Sequence, residues 1–177
     1  MATAVHALGK CQILVDTGAS NALELLGYSE DQVTIEERVF RHDIHSDEYG
    51  GGEGPPIDVQ YLGEVHYITM SLVNYDIAIY KKIQPKIYGG SLGVSPNPGS
   101  LMGEGSLAFR LLLKPITDPY GVPTANEPRN YLLAFPFSSV RWAMGTKATR
   151  VPLVWEAHAT QDAADSDTVK LFNNTAV

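Results

Sequence analysis

Residues 42–72, HDIHSDEYGGGEGPPIDVQYLGEVHYITMSL, run from a polar loop into a long alternating strand. Over 64–73, His66, Ile68, Met70 and Leu72 fall on one face, and Val65, Tyr67, Thr69, Ser71 and Val73 fall on the other. A period of two is the signature of an extended chain with one buried face. Just before it, Ile57, Val59 and Tyr61 alternate as well, and Leu62-Gly63 reads as a turn between the two runs. The loop over 42–56 is rich in Asp, Glu, His and Gly and ends on Gly-Pro-Pro, too long for a tight hairpin. The pattern predicts an extension projecting from a β core, suited to contact with neighbouring copies of the chain.

The flanking sequence carries the same signal. In 32–40, QVTIEERVF, Val33, Ile35 and Val39 share one face while Thr34, Glu36 and Arg38 share the other. Residues 10–15, KCQILV, read as a short strand that stops at Asp16-Thr17-Gly18. A strand over 106–114 turns Leu107, Phe109, Leu111 and Leu113 inward. Another over 129–137 groups Tyr131, Leu133, Phe135 and Phe137, and one over 149–157 groups Val151, Leu153 and Trp155. Trp142, Trp155, Phe135 and Phe137 are expected in the core, since alternating aromatics on strands pack inward.

Helical signals are few. Asp76–Gln84 places Ile79, Tyr80 and Ile83 on one stripe, with Pro85 as the stop. Ser20 is a candidate N-cap for a short helix over Asn21–Leu26 ending at Gly27, with an irregular turn as the alternative. Residues 1–9 read as a flexible N-terminal arm and 160–177 as a C-terminal arm. A Gly/Pro-rich loop fills 88–105, and 115–128 is rich in turn residues. The expectation is one domain over 1–177, mainly β (α+β), a β-sandwich or barrel with one or two short flanking helices and long loops.

Composition narrows the function classes. At 177 residues, 44% hydrophobic and 19% charged, the chain can bury its own core. A net charge of −7 argues against coating nucleic acid, which needs dense Lys and Arg to displace counterions. It is compatible with a surface past which nucleic acid slides, because like charges repel. The single Cys11 forms no internal disulfide and no cysteine cluster. No apolar run approaches the ~20 residues of a membrane-spanning helix. The opening MATAVHALGKCQ lacks the features of a signal peptide, so production in a reducing cytosol is expected.

Chemical motifs are sparse. His42, Asp43, His45, Asp47 and Glu48 carry metal-ligand atoms, but they sit in a Gly-rich loop with no helical i, i+4 spacing or spaced calcium-loop acids. A solvated loop is the simpler reading, and neither a metal nor a cofactor is expected. Gly103-Glu104-Gly105-Ser106 leads into a strand rather than a helix, so it is no nucleophile elbow. Gly89-Gly90-Ser91-Leu92-Gly93 lacks the Lys-Ser/Thr ending of a phosphate loop.

Ile13-Leu14-Val15-Asp16-Thr17-Gly18-Ala19-Ser20 resembles the catalytic triplet of aspartic proteases, especially the small retroviral type. That resemblance implies a homodimer with Asp16 as the catalytic carboxylate. The second triplet of the pepsin type is missing, and Ala143-Met144-Gly145 leads into Thr146-Lys147 rather than into the helix of the retroviral type. An Asp-Thr-Gly turn after a strand accounts for the motif without catalysis.

A second resemblance covers more of the chain. Asp47-x-Tyr49-Gly50, then Pro56-x-Asp58, then Gly63-Glu64 and a strand ending in Ser71-Leu72 resembles a pattern of bacteriophage tail tube proteins and related virion subunits. It covers about 33–76 well, and extends loosely to Met144-Gly145-Thr146-Lys147 and Leu171-Phe172. Specificity lies in the order of these short motifs. The resemblance implies a non-enzymatic structural protein of the virion, made in the host cytoplasm, that assembles into stacked hexameric rings around a DNA-conducting lumen. Its partners would be other copies of itself and tail proteins such as sheath, terminator or baseplate. The inter-subunit contacts would fall on His42, His45, Asp47, Glu48, Tyr49, Glu53 and Asp58. The long segments 88–105 and 115–128 depart from the pattern and leave a neck, baseplate or capsid-decoration role as an alternative.

Overall fold

The longest strand, β5 (Asp58–Val73), organises the molecule. The computed structural model describes residues 2–17, 22–45, 56–83, 108–116, 128–136, 150–162, 165–170 and 172–173. Ahead of β5 come β1 (Ala2–Leu8), β2 (Cys11–Asp16), β3 (Leu23–Ser29) and β4 (Val33–Ile44). After it come α1 (Ile77–Ile83), β6 (Phe109–Pro115), β7 (Arg129–Pro136), β8 (Val151–His158), β9 (Thr160–Asp162), β10 (Asp165–Lys170) and β11 (Phe172–Asn173).

The main sheet is antiparallel and rings through six strands, in the order β5–β3–β2–β6–β7–β8 and back to β5. On one edge of β5, Val65–Leu72 pairs with β8. On the other edge β4 and β3 lie end to end. Thr34 faces Thr69 and the pairing runs out to Ile44 opposite Asp58, while Tyr28 and Ser29 face Val73 and Leu72. The break at residues 30–32, held by the Glu30 N–H donating to Ser71 O at 2.8 Å, is where the two strands part. β3 turns away to pair with β2 and close the ring, and β4 carries β1 on its outer edge. β11 adds to β7, and β9 and β10 form a separate two-stranded sheet.

The inside of the ring is the apolar core. Ile13, Leu26, Ile35, Ile68, Leu72, Leu111, Leu113, Tyr131, Leu153 and Trp155 are fully buried. Each such side chain contributes about 1.5–3 kcal/mol by leaving water. Helix α1 adds Ile79, Tyr80 and Ile83 to the same cluster. Its entry is set by Asp76, whose Oδ1 accepts from Ala78 N at 2.7 Å and Ile79 N at 3.2 Å, satisfying two amides that the first turn leaves open.

Several expectations are met. His66, Ile68, Met70 and Leu72 face the core, as do Phe109, Leu111 and Leu113, and Val151, Leu153 and Trp155. Others are corrected. The stretch read as a helix over 21–26 is strand β3 from Leu23, because β2 and β5 claim its two edges and the ladder outweighs helix propensity. A register shift against Ile13 and Leu14 leaves Leu26 as an extra residue, so Leu26 and Gly27 are both buried. Residues 2–8, expected as a flexible arm, are paired with β4 throughout as β1. The turn expected at Leu62-Gly63 is a bulge inside one continuous strand. Phe40 faces Gly63 and Arg41 faces Tyr61, with Leu62 left over and Gly63 at φ 132°, a region only glycine enters freely.

Strand β7 loses its strict alternation in the same way. A register shift between Phe109 and Leu111 buries Tyr131 and Ala134, and leaves Leu133 and Phe135 half-buried. Trp142, Phe137, Leu107 and the 88–105 loop lie outside the described residues.

Gly27 is not a helix stop. A Cβ there would meet Tyr75 Cα at 2.9 Å and Asn74 O at 3.2 Å, both backbone atoms of the turn from β5 into α1. Gly27→Ala is therefore expected to destabilise the fold by about 1–3 kcal/mol through overpacking, read as a lowered midpoint in a urea melt. An unchanged midpoint would show that the turn yields without strain.

Candidate functional site

Beyond the bulge, β4 and β5 leave the ring as a two-stranded ribbon. Arg41 faces Tyr61, His42 faces Gln60, Asp43 faces Val59 and Ile44 faces Asp58. Ile57 N donates to Ile44 O at 2.9 Å and continues the pairing by one step. The ribbon is unusually apolar for a surface element. Of the nine large hydrophobic side chains exposed among the described residues, six are here: Phe40, Ile44, Ile57, Val59, Tyr61 and Leu62. Tyr61 at 62% and Leu62 at 59% are the most exposed of them.

These side chains occupy both faces. Cross-strand partners share a face, so Val59 and Tyr61 lie with Asp43 and Arg41 on one side. Phe40 and Ile44 alternate onto the other side, with His42, Gln60 and Asp58. Two polar contacts lie between them. Arg41 Nε stands 3.6 Å from Asp43 Oδ1, and Asp58 Oδ1 accepts from Val59 N at 2.7 Å. An ion pair this exposed adds at most about 1 kcal/mol, so the ribbon's surface energy is dominated by its apolar groups. Contiguous apolar exposure of this kind marks a contact surface.

Of the expected contact residues, His42 and Asp58 are exposed on the ribbon and His45 is exposed just past Ile44. Asp47, Glu48, Tyr49 and Glu53 lie outside the described residues. Reasoning from the loop's polarity singled out the charged residues and passed over the apolar ones. The signal was present in the alternation of Ile57, Val59 and Tyr61. Among the described residues no group of three His, Cys, Asp or Glu side chains is placed to hold a metal ion.

Asp16 ends β2, opposite Arg110 on β6 and Leu23 on β3. The hydroxyl of the adjacent Thr17 donates to Glu24 Oε2 at 2.7 Å, and Lys82 Nζ on α1 stands 3.5 Å from both. The Thr17 hydrogen bond, with Lys82 assisting, holds the Glu24 carboxyl below its usual range. This cluster ties the end of β2 and the start of β3 to α1. Gly18 to Asn21 lie outside the described residues.

A second polar cluster sits inside the ring. Glu37 on β4 and His66 on β5 face each other in register on the inward side, with His66 only 1% exposed. His66 Nδ1 is 3.1 Å from Tyr131 Oη on β7, and His66 Nε2 is 3.7 Å from Glu37 Oε1. Arg129 approaches the same Glu37 oxygen at 3.6 Å and hydrogen-bonds the Tyr131 phenol. His66 thus stands between the Tyr131 phenol at Nδ1 and the Glu37 carboxylate near Nε2, and its tautomer sets which of its ring nitrogens donates. Burial pushes the Tyr131 phenol up to about 12, against the lowering influence of Arg129, so it stays a neutral donor. The sequence signal for this cluster is a Glu and a His at core-facing positions of consecutive strands.

No protein family, no curated protein and no solved structure matches the chain.

Proposed function

We propose that this chain is a non-enzymatic structural subunit of a virion, of the bacteriophage tail tube kind, which self-assembles into stacked hexameric rings around a lumen that conducts DNA. The observation that carries the reading is the ribbon, with Phe40, Ile44, Ile57, Val59, Tyr61 and Leu62 exposed on both of its faces. A ribbon that is apolar on two sides is suited to insertion between neighbouring bodies, since a single flat contact leaves one side wet. Identical subunits in a closed ring supply such neighbours at every position. The same closure covers strand edges that no described residue pairs with, such as that of β1 and the 58–64 stretch of β5, which otherwise invite uncontrolled pairing. The order of motifs from Asp47 to Leu72 and the charge of −7, which keeps a lumen from gripping DNA, support the same reading.

In this mechanism the ring core gives each subunit its rigidity and the ribbon supplies the adhesive contact. Electron microscopy of the purified protein tests it, with rings or tubes as the expected result. Compact dimers that cleave peptides, and lose that cleavage on Asp16→Asn, would overturn it in favour of an aspartic protease.

A further inference from the structure

We propose that the C-terminal strand β11 and the ribbon are coupled through Tyr131, so that seating β11 on β7 steadies the ribbon's root and releasing it loosens the root. The backbone of Tyr131 is a junction: it faces Leu111 of β6 on one edge and Phe172 of β11 on the other. Its side chain crosses the core to His66, which lies opposite Glu37. Glu37 is three residues before Phe40, where the bulge begins and the ribbon leaves the ring. Arg129, two residues before Tyr131 on the same strand, reaches the same Glu37 carboxylate. The wall that carries β11 and the root of the ribbon are thus joined by four side chains on three strands.

Two physical features make the link a device rather than inert packing. Among the described residues β11 is held by two register pairs, Phe172 with Tyr131 and Asn173 with Asn130, and a ladder this short belongs to the elements that open most readily. The groups it bears on are buried and polar, and a buried hydrogen bond that is stretched leaves its donor and acceptor unsatisfied. A shift of β7 at Tyr131 therefore forces His66 and Glu37 to re-pair instead of yielding by degrees. The coupling is a property of the single chain. Its consequence for assembly, that a seated β11 presents a steadier ribbon to the next copy, rests on the tail-tube reading.

Hydrogen exchange read by mass spectrometry tests the coupling in the monomer, apart from any assembly. The full chain is compared with a chain ending at residue 171 and with Asn173→Pro, which removes a backbone donor from β11 and keeps the full length. Both changes are repeated in a Tyr131→Phe background. With Tyr131 present, loss of β11 is expected to speed exchange at 129–131 and also, by about five- to tenfold, at 37–44 and 58–66. In Tyr131→Phe the effect at 129–131 persists and the remote effect falls below about twofold. Acceleration confined to 129–131, or spread evenly over all peptides, would overturn the proposal. An absence of tubes alongside the expected exchange pattern would leave the coupling standing and remove the tail-tube reading.

Discussion

Val59→Lys combined with Tyr61→Asp is expected to abolish assembly while leaving the monomer folded. Both side chains are exposed, at 44% and 62%, and share one face of the ribbon. Each new charge is placed opposite its complement, Lys against Asp43 and Asp against Arg41, so the ribbon itself gains no like-charge clash across the strands. Exposed substitutions of this kind change stability by about 0.5 kcal/mol or less, a shift of roughly 2 °C in Tm for a chain of this size. In a contact between copies the same two charges, together with Asp43 and Arg41 beside them, must be stripped of water. Losing two anchoring apolar groups and desolvating two charges removes about 2 kcal/mol or more at each position, at least 30-fold in affinity per site. Sedimentation velocity and electron microscopy read the assembly, and circular dichroism reads the melt. Tubes that persist in the double variant would show that the ribbon is not the adhesive element. A collapse of the melt would show that it belongs to the core.

Trp155→Ala is expected to lower stability by about 3–5 kcal/mol, a large share of the roughly 5–15 kcal/mol available to a domain. Trp155 is fully buried on β8, the strand that joins β5 to β7, where it faces Ile68 in one ladder and Pro136 in the other. Its ring meets Phe109 edge-on at a centroid distance of 6.4 Å, across the inside of the ring. Truncation removes apolar contact on both sides and leaves a cavity that two ladders hold open, so the surroundings collapse poorly around it. Leu25→Ala, at a side chain 37% exposed on β3, serves as the control and should cost less than about 1 kcal/mol. Urea unfolding measures both. A Trp155→Ala variant within 1 kcal/mol of the parent would show that the core is organised elsewhere.

Strand identity was legible wherever one face is apolar and the ladder is regular. The run from Phe109 to Leu113, the run from Val151 to Trp155 and the alternation from His66 to Leu72 each predicted the faces observed, and KCQILV predicted strand β2. Reading failed at three bulges of the main sheet. At Leu26, at Leu62 and between Tyr131 and Ala134, one residue more or less in a strand shifts the face of everything beyond it. A period-two pattern carries no record of such a residue, because a bulge is a relation between two strands and not a property of either. The same holds for Gly27, which looks like a helix stop until Tyr75 is seen against it.

The candidate site was legible in place and misread in character. Within 42–56 the polar residues carry the expectation of contact, and residues 46–55 lie outside the described residues, while Ile57, Val59 and Tyr61, whose alternation is plain in the sequence, are the exposed apolar ones. Alternation says that two faces exist. Whether a third layer covers either of them depends on where the ring ends. Here β8 stops at His158, opposite Val65, so β5 runs on past its last partner on that edge with its apolar residues uncovered.

From sequence alone, this protein reads as a mainly β chain with one or two short helices, of which the one after β5 is present. Those follow from local chemistry: side-chain alternation, helix caps, and the turn residues between runs. Tertiary structure alone decided that the strands close into a ring of six, that β3 and β4 part along one edge of β5, and that His66, Glu37, Arg129 and Tyr131 meet inside. Pairing between strands far apart in sequence is selected by the burial of all their inner faces at once, and no single segment encodes that sum.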